Sequence, residues 1–421
     1  MNGSKFLNIT NRISAAFLAA CLGAGSYASA AEPIQIAYID PLSGPFASTG
    51  SQGIAQFRFA ADTLVNDKGG VLDGRQIEIV AFDNKISPKE SLVQLQVAID
   101  RGIRFIAQGN GSHVANALTD AVNKHNRRNP DKQVLFLNYS AVDPALTNEK
   151  CSFWHFRFDA NADIKMDALT DVMARDQDLK KVYIIGQDYS FGQSVADGAT
   201  RMLAAKRPDI DIVGNELHPI GKVKDFTPFA RKIMASGADA LITGNWGTDM
   251  IGLGKAVIGA GFEGPIYTFY AASDGITRTL GAGGKDKIHI IGPGSLNPPQ
   301  TDNVATYVEA FKARHPDKDI AQPRITHVVS MLAKAIDAAG TADDVAKVAA
   351  SLAGMEHESL WGGKVIMRPQ DHQAIQNVYV MAHSDESIRF DLDNSGYGLL
   401  REATVELAGL DSATSCNMQR P

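Results

Sequence analysis

RFIAQGNGSHVANAL, residues 104–118, decides how the chain is read. An apolar run stops at Gly109, Asn110 and Gly111, and Ser112 opens a run with helical periodicity. The pattern predicts a strand, a glycine-bearing turn and a helix. A helix start carries free N–H groups and the positive end of the peptide dipoles. Glycines let the backbone approach a bound group closely. Such a turn suits a carboxylate or a phosphate. It also suits a plain turn with Ser112 as an ordinary N-cap, so the flanking sequence has to decide.

Upstream, residues 34–39 (IQIAYI) and 76–82 read as strands, and 50–66 carries Ile54, Phe57, Ala61, Leu64 and Val65 at helical spacing. Ser87-Pro88 opens another helix. Downstream, 114–127 is helical and 134–138 (VLFLN) is a strand. Strands alternating with helices of this length imply parallel βαβ units. Such sheets place ligands at the carboxyl ends of their strands. The loops 41–49, 109–112 and 139–142 then share one edge.

The pattern restarts with an extended segment, 153–158 (FWHFRF), and a helix over 161–175. Strands follow at 181–186, 210–219, 240–243 and 266–269, separated by helices to about 205, at 225–236 and at 248–260. This gives a second doubly wound unit. A strand at 288–291, helices at 303–314, 324–338 and 342–352, and strands at 364–367 and 377–381 come later. The tail 385–421 is polar and shows no clear period.

The strand ends carry hydroxyls, amides and aromatics. The first unit supplies Asn110, Ser112, Tyr139 and Ser140; the second supplies Asp188, Tyr189, Phe191, Asn245, Trp246, Phe269 and Tyr270. A few polar groups within aromatic walls describe a small-molecule pocket. Gly109-Asn110-Gly111 lacks the third glycine of a dinucleotide fingerprint, and 283–286 lacks the spacing of a phosphate loop. No nucleophile elbow and no metal-ligand spacing among the ten histidines is found. An enzyme, a cofactor and a metal are therefore not expected. The formal charge of −6 argues against a nucleic-acid surface.

Lys5 and Arg12 precede an apolar stretch, 13–25, too short to span a bilayer, and Ala28-Ser29-Ala30 offers a cleavage site. Residues 1–30 are expected to be a secretion signal. Lipidation at Cys21 is the alternative. With the signal removed, Cys151 and Cys416 remain, and an exported chain with an even count permits a disulfide between them. Two separate thiols are the other reading.

Several segments, in order, resemble the leucine/isoleucine/valine-binding group of type I periplasmic solute-binding proteins of ABC importers. They are IAYIDPLSGP (36–45), NDKGGVLDGRQIEI (66–79), AFDN (81–84) followed by Ser87-Pro88, Asp143-Pro144-Ala145-Leu146-Thr147, and VYIIGQDYSFG (182–192). The resemblance implies two α/β lobes joined by three crossings, near 152–156, 288–296 and 366–372, that close on a solute. Lobe 1 would comprise 31–153 and 293–368, and lobe 2 would comprise 154–292 and 369–421. It also implies a periplasmic monomer, with ABC permease subunits in the inner membrane as its partners.

The family places the ligand carboxylate on a serine at a helix start, where Ser112 falls, and on the loop after the fourth strand, where Ser140 and Ala141 fall. Val142 stands where a threonine is expected. Phe191 replaces a tyrosine, Trp246 is the next aromatic, Thr49 replaces an aromatic of the first loop, and Asn110 replaces an apolar residue. The glutamate that pairs the ligand ammonium should follow 266–270, where Ala271-Ala272-Ser273 stands and Asp274 comes slightly late. Asp274 or Asp188 then takes its place, or the ligand has no ammonium. The expected ligand is a branched-chain or related amino acid, or alternatively an aromatic acid without an amine. A sensor that reports to a membrane receptor would use the same fold.

Overall fold

Ile34–Asp40 forms β1, buried over most of its length because helices cover both faces of a parallel sheet. Ala47–Leu64 (α1), Ile77–Asp83 (β2), Pro88–Asp100 (α2), Phe105–Gln108 (β3), Ser112–Arg128 (α3), Leu135–Asn138 (β4) and His155–Arg157 (β5) follow. Helix α2 begins where the Ser87 side chain accepts the N–H of Glu90, with Pro88 in its first turn. The strands form one parallel sheet in the order β2-β1-β3-β4-β5. The computed structural model describes residues 32–272, 274–406, 409 and 413–421, together with Met1. The expected signal segment, with Cys21, and Ser273 lie outside the described residues. Among the described residues no helix is long and apolar enough to cross a membrane.

Ala162–Met173 (α4) opens the second lobe, capped by the Asn161 side chain on the N–H of Ile164. Lys181–Gln187 (β6), Ser190–Lys206 (α5), Asp211–His218 (β7), Thr227–Ser236 (α6), Ala240–Thr243 (β8), Gly247–Gly259 (α7), Ile266–Thr268 (β9), Ile276–Gly284 (α8) and Ile288–Gly292 (β10) continue the alternation. The chain then returns through Asp302–Arg314 (α9), Arg324–Ala339 (α10) and Val345–Leu352 (α11). Glu356–Glu358 (β11), Lys364–Met367 (β12) and Ala374–Gln376 (β13) make a small antiparallel sheet. Val378–Ser384 (β14) and Gly398–Val405 (β15) join the second sheet, ordered β15-β14-β10-β9-β8-β6-β7; β14 pairs antiparallel with β10, and β15 pairs antiparallel with β14 at the edge. Ile325, Val328, Val329 and Leu332 of α10 pack into the first lobe's core with Phe57, Phe105 and Val114. That lobe is thus completed by chain that follows β10 of the second sheet.

Three expectations need correction. Residues His155–Arg157 hydrogen-bond to β4, so 154–157 belong to the first sheet and the chain crosses after them, later than 152–156. Residues Ala374–Gln376 pair with β12, so the last crossing falls between β13 and β14, past 366–372. The tail holds β15, whose outer face is partly exposed and whose alternation is broken by a bulge opposite Val380 and Met381. Cys151 and Cys416 are joined by a disulfide with Cα atoms 5.6 Å apart. Thr414 Oγ1 donates to the Thr147 carbonyl at 2.7 Å and the Ser415 N–H to Asn148 Oδ1 at 3.1 Å, which lays the tail against the first lobe.

Candidate functional site

The turn between β3 and α3 is held from below. Asp40, at the end of β1 and fully buried, accepts the N–H groups of Gly109 (3.2 Å) and Asn110 (3.0 Å) and the Tyr139 hydroxyl (2.6 Å). Burial pushes its carboxyl up to about 7, against the pull of those donors. A side chain at Gly109 would run into the Tyr139 ring, 2.6 Å away. Gly111 takes a φ of +89°, which glycine adopts without strain, and it occupies the cap position itself. Ser112 is therefore the first residue of α3 and not its cap. Its Oγ accepts the Asp143 N–H at 3.3 Å, and its own proton has no acceptor among the described residues.

The loop after β4 is an asparagine turn. Asn138 Oδ1 accepts the N–H groups of Ser140 (3.2 Å) and Ala141 (2.8 Å). Ala141 lines the site, and its amide is engaged by Asn138 Oδ1. Ser140 presents its hydroxyl, and that oxygen accepts from Arg324 Nη2 at 2.7 Å.

Thr49, Asn110, Ser112, Ser140, Ala141, Tyr189, Phe191, Trp246, Tyr270 and Asp274 line one cavity of about 100 Å³ between the lobes. At 10–15 Å³ for a water-sized group, that is room for roughly seven to ten such groups. Asp188 does not join them. It is exposed at the end of β6, with Gln193 Nε2 3.5 Å away as its side-chain partner, because the strand's alternation turns it outward while Tyr189 points in. Tyr139 and Asn245 are buried beneath the site, and Asn245 holds His218 at 3.0 Å.

The lobes meet across the cavity. Thr49 Oγ1 donates to Asp274 Oδ2 at 2.8 Å and Ser48 Oγ to Oδ1 at 3.3 Å. The Phe46 and Trp246 rings lie 4.2 Å apart, and His113 and Tyr189 5.0 Å apart edge to face. Trp246 Nε1 donates to the Tyr189 hydroxyl at 2.9 Å. Asp274 has no ion-pair partner among the described residues. Burial, with Asp393 and Asp319 nearby, pushes its carboxyl up to about 6.

Arg324 and Gln322 also line the cavity, and neither was expected there from the sequence; Lys165 and Asp159, likewise unexpected, are fully buried against Tyr270. Lys165 Nζ donates to Asp159 Oδ2 at 2.7 Å and to the Tyr270 hydroxyl at 3.2 Å, while that hydroxyl donates to the Ser140 carbonyl at 3.2 Å. Burial holds the Lys165 ammonium down to about 8. One signal could have exposed Arg324. It opens α10, where the helix dipole disfavours a cation, and no acid shares the first turn.

Two winding α/β lobes closing on a small cavity through a hinge define a solute-binding protein. A family model described as periplasmic binding protein matches residues 33–386. Across 410 residues the chain is 32% identical to Leu/Ile/Val-binding protein homolog 4 of Brucella melitensis, covering 94% of this chain and 95% of that protein. A solved structure of a leucine-, isoleucine-, valine-, threonine- and alanine-binding protein from Brucella ovis, in its closed conformation, superposes with a TM-score of 0.82 at 30% identity, covering 93% and 100% of the two chains. A benzoate-bound solute-binding protein from R. palustris shares the fold at 17% identity and a TM-score of 0.75, covering 91% and 99% of the chains. The chain belongs to the periplasmic binding protein family. It is the periplasmic substrate-binding component of an ABC importer, it closes its lobes on a small organic ligand, and it is not an enzyme.

Proposed function

We propose that this protein captures an amino acid with a hydrophobic side chain. The α-carboxylate lies against the Ser112 and Ser140 hydroxyls at the start of α3, and the ammonium lies against Asp274. Tyr189, Phe191 and Trp246 wall the side chain from the second lobe. The observation that carries the reading is Asp274, a cavity carboxylate held by two hydroxyls and by no cation among the described residues. A carboxylate so placed gains from a ligand cation. The names of the Brucella relatives agree with an amino acid.

An acid without an amine is the second reading. It is favoured by Arg324, which lines the cavity and shares the single carboxylate of Asp159 with the buried Lys165. A thermal-shift screen of refolded, ligand-stripped protein separates the two. The panel holds leucine, isoleucine, valine, phenylalanine, benzoate, hydroxybenzoates and cinnamate. A ligand at a hundred times its Kd adds about 2.7 kcal/mol of stability. The amino acids are expected to respond, and Asp274→Asn is expected to remove most of that response. A response confined to amine-free acids would reject the amino-acid reading.

A further inference from the structure

We propose that Arg324 is a ligand-binding residue, the charged anchor of the ligand's carboxylate, and not merely one arm of a structural ion pair. The proposal rests on the ligand being a carboxylate, and it holds for either class of acid named above.

Arg324 is 3% exposed and lines the cavity at its hinge wall. Its guanidinium is poorly satisfied by the protein. Nη2 donates to Ser140 Oγ at 2.7 Å and lies 3.4 Å from Gln322 Oε1. Nε is 3.3 Å from Asp159 Oδ2 yet is buried without a hydrogen bond. Nη1 makes no hydrogen bond among the described residues. The buried Arg157, by contrast, places each of its three nitrogens, on Gln373 Oε1, the Asp143 carbonyl and Thr147 Oγ1.

The local charge is also unbalanced. Asp159 already accepts the Lys165 ammonium at 2.7 Å, so one carboxylate serves two cations. The rings give partial relief only, with Arg324 Cζ 5.6 Å and Lys165 Nζ 4.7 Å from the centre of Tyr270. Arg324 further stands at the first turn of α10, where the peptide dipoles oppose its charge. A buried cation in excess, at a helix start, facing a cavity, calls for an anion from outside.

Ser140 shows where that anion sits. Its oxygen is occupied as an acceptor by Arg324, so its proton turns toward the cavity. The hydroxyl and the guanidinium then offer converging donors, the geometry in which arginine grips a carboxylate. The family resemblance expects a hydroxyl where Val142 stands, and Arg324 would take over that donor's part.

The test compares matched acids and amides on stripped protein by calorimetry: L-leucine and L-leucinamide, L-phenylalanine and its amide, benzoate and benzamide. Wild-type protein is expected to prefer the acid in the responding pairs, and Arg324→Gln to cut that preference by about 10–100-fold. Arg324→Lys keeps the charge without the fork and is expected to fall between them. If Arg324→Gln does not fold, Arg324→Lys is measured in its place. An acid preference that survives either substitution unchanged overturns the proposal, as does wild-type protein that binds amides as well as acids, or no acid at all. If benzoate alone binds, and binds through Arg324, the amino-acid reading falls and the anchor stands.

Discussion

Thr49 of the first lobe hydrogen-bonds Asp274 of the second at 2.8 Å, so the group that would meet a ligand cation is also a latch between the lobes. Burial raises that carboxyl from 3.8 to about 6. A raised acid favours the folded, ligand-free protein where it is protonated. Its contribution is therefore greatest below about 4 and is lost as pH rises through 6. Binding of an ammonium runs the other way, because it needs the ionised form. Affinity for L-leucine is expected to weaken as pH falls below about 6, up to tenfold per unit, and Asp274→Asn to flatten the profile. Calorimetry between pH 4.5 and 8 checks it, and a wild-type profile as flat as the variant's would count against Asp274.

Phe46 and Trp246 pack against each other between the lobes, tilted by 35° with ring centres 4.2 Å apart. An aromatic pair of this kind contributes about 0.5–1.5 kcal/mol beyond its area. Phe46→Ala should weaken ligand binding roughly 3–10-fold by disfavouring closure. Trp246 emission gives a direct readout of closure, and Trp246→Phe should abolish the ligand-dependent change.

Tyr139 donates to Asp40 at 2.6 Å beneath the β3–α3 turn. Tyr139→Phe should cost about 1–3 kcal/mol. The bond supports the ionised carboxylate, whose titration lies at about 7. The loss should thus be larger at pH 8.5 than at pH 5.5 in urea unfolding. An equal loss at both values would mean that Asp40 keeps one protonation state throughout.

The Cys151–Cys416 bond fastens the tail to the loop after β4. Replacing both cysteines with serine should lower stability by about 2–4 kcal/mol. Mass spectrometry of unreduced protein should show two protons fewer than the reduced form. Two free thiols before reduction would contradict the bond.

Much of the fold was legible because apolar periodicity and turn residues agree locally. The strand expected over 266–269 forms as Ile266–Thr268, and the helix expected over 324–338 forms as Arg324–Ala339. Short edge strands defeated the reading. His155–Arg157 is three residues long, and only its hydrogen bonds to β4 assign it to the first lobe. At the site, strand ends pointed to Ser112, Ser140, Tyr189 and Trp246, which do meet in one cavity. Asp188 was misplaced because a one-residue step along an extended chain reverses a side chain. The cluster of Lys165, Asp159 and Arg324 was out of reach, since it joins residues far apart in sequence whose meeting depends on how the hinge folds.

The position of α10 fixes the order in which this molecule can be finished. Its apolar face packs into the first lobe's core, yet it is synthesised after strands β6 to β10 of the second sheet. The earlier segment, through Arg157, therefore emerges with part of its hydrophobic surface uncovered. A protein built this way cannot mature piece by piece from its amino end. Its early portion stays dependent on protection from aggregation until the return segment arrives.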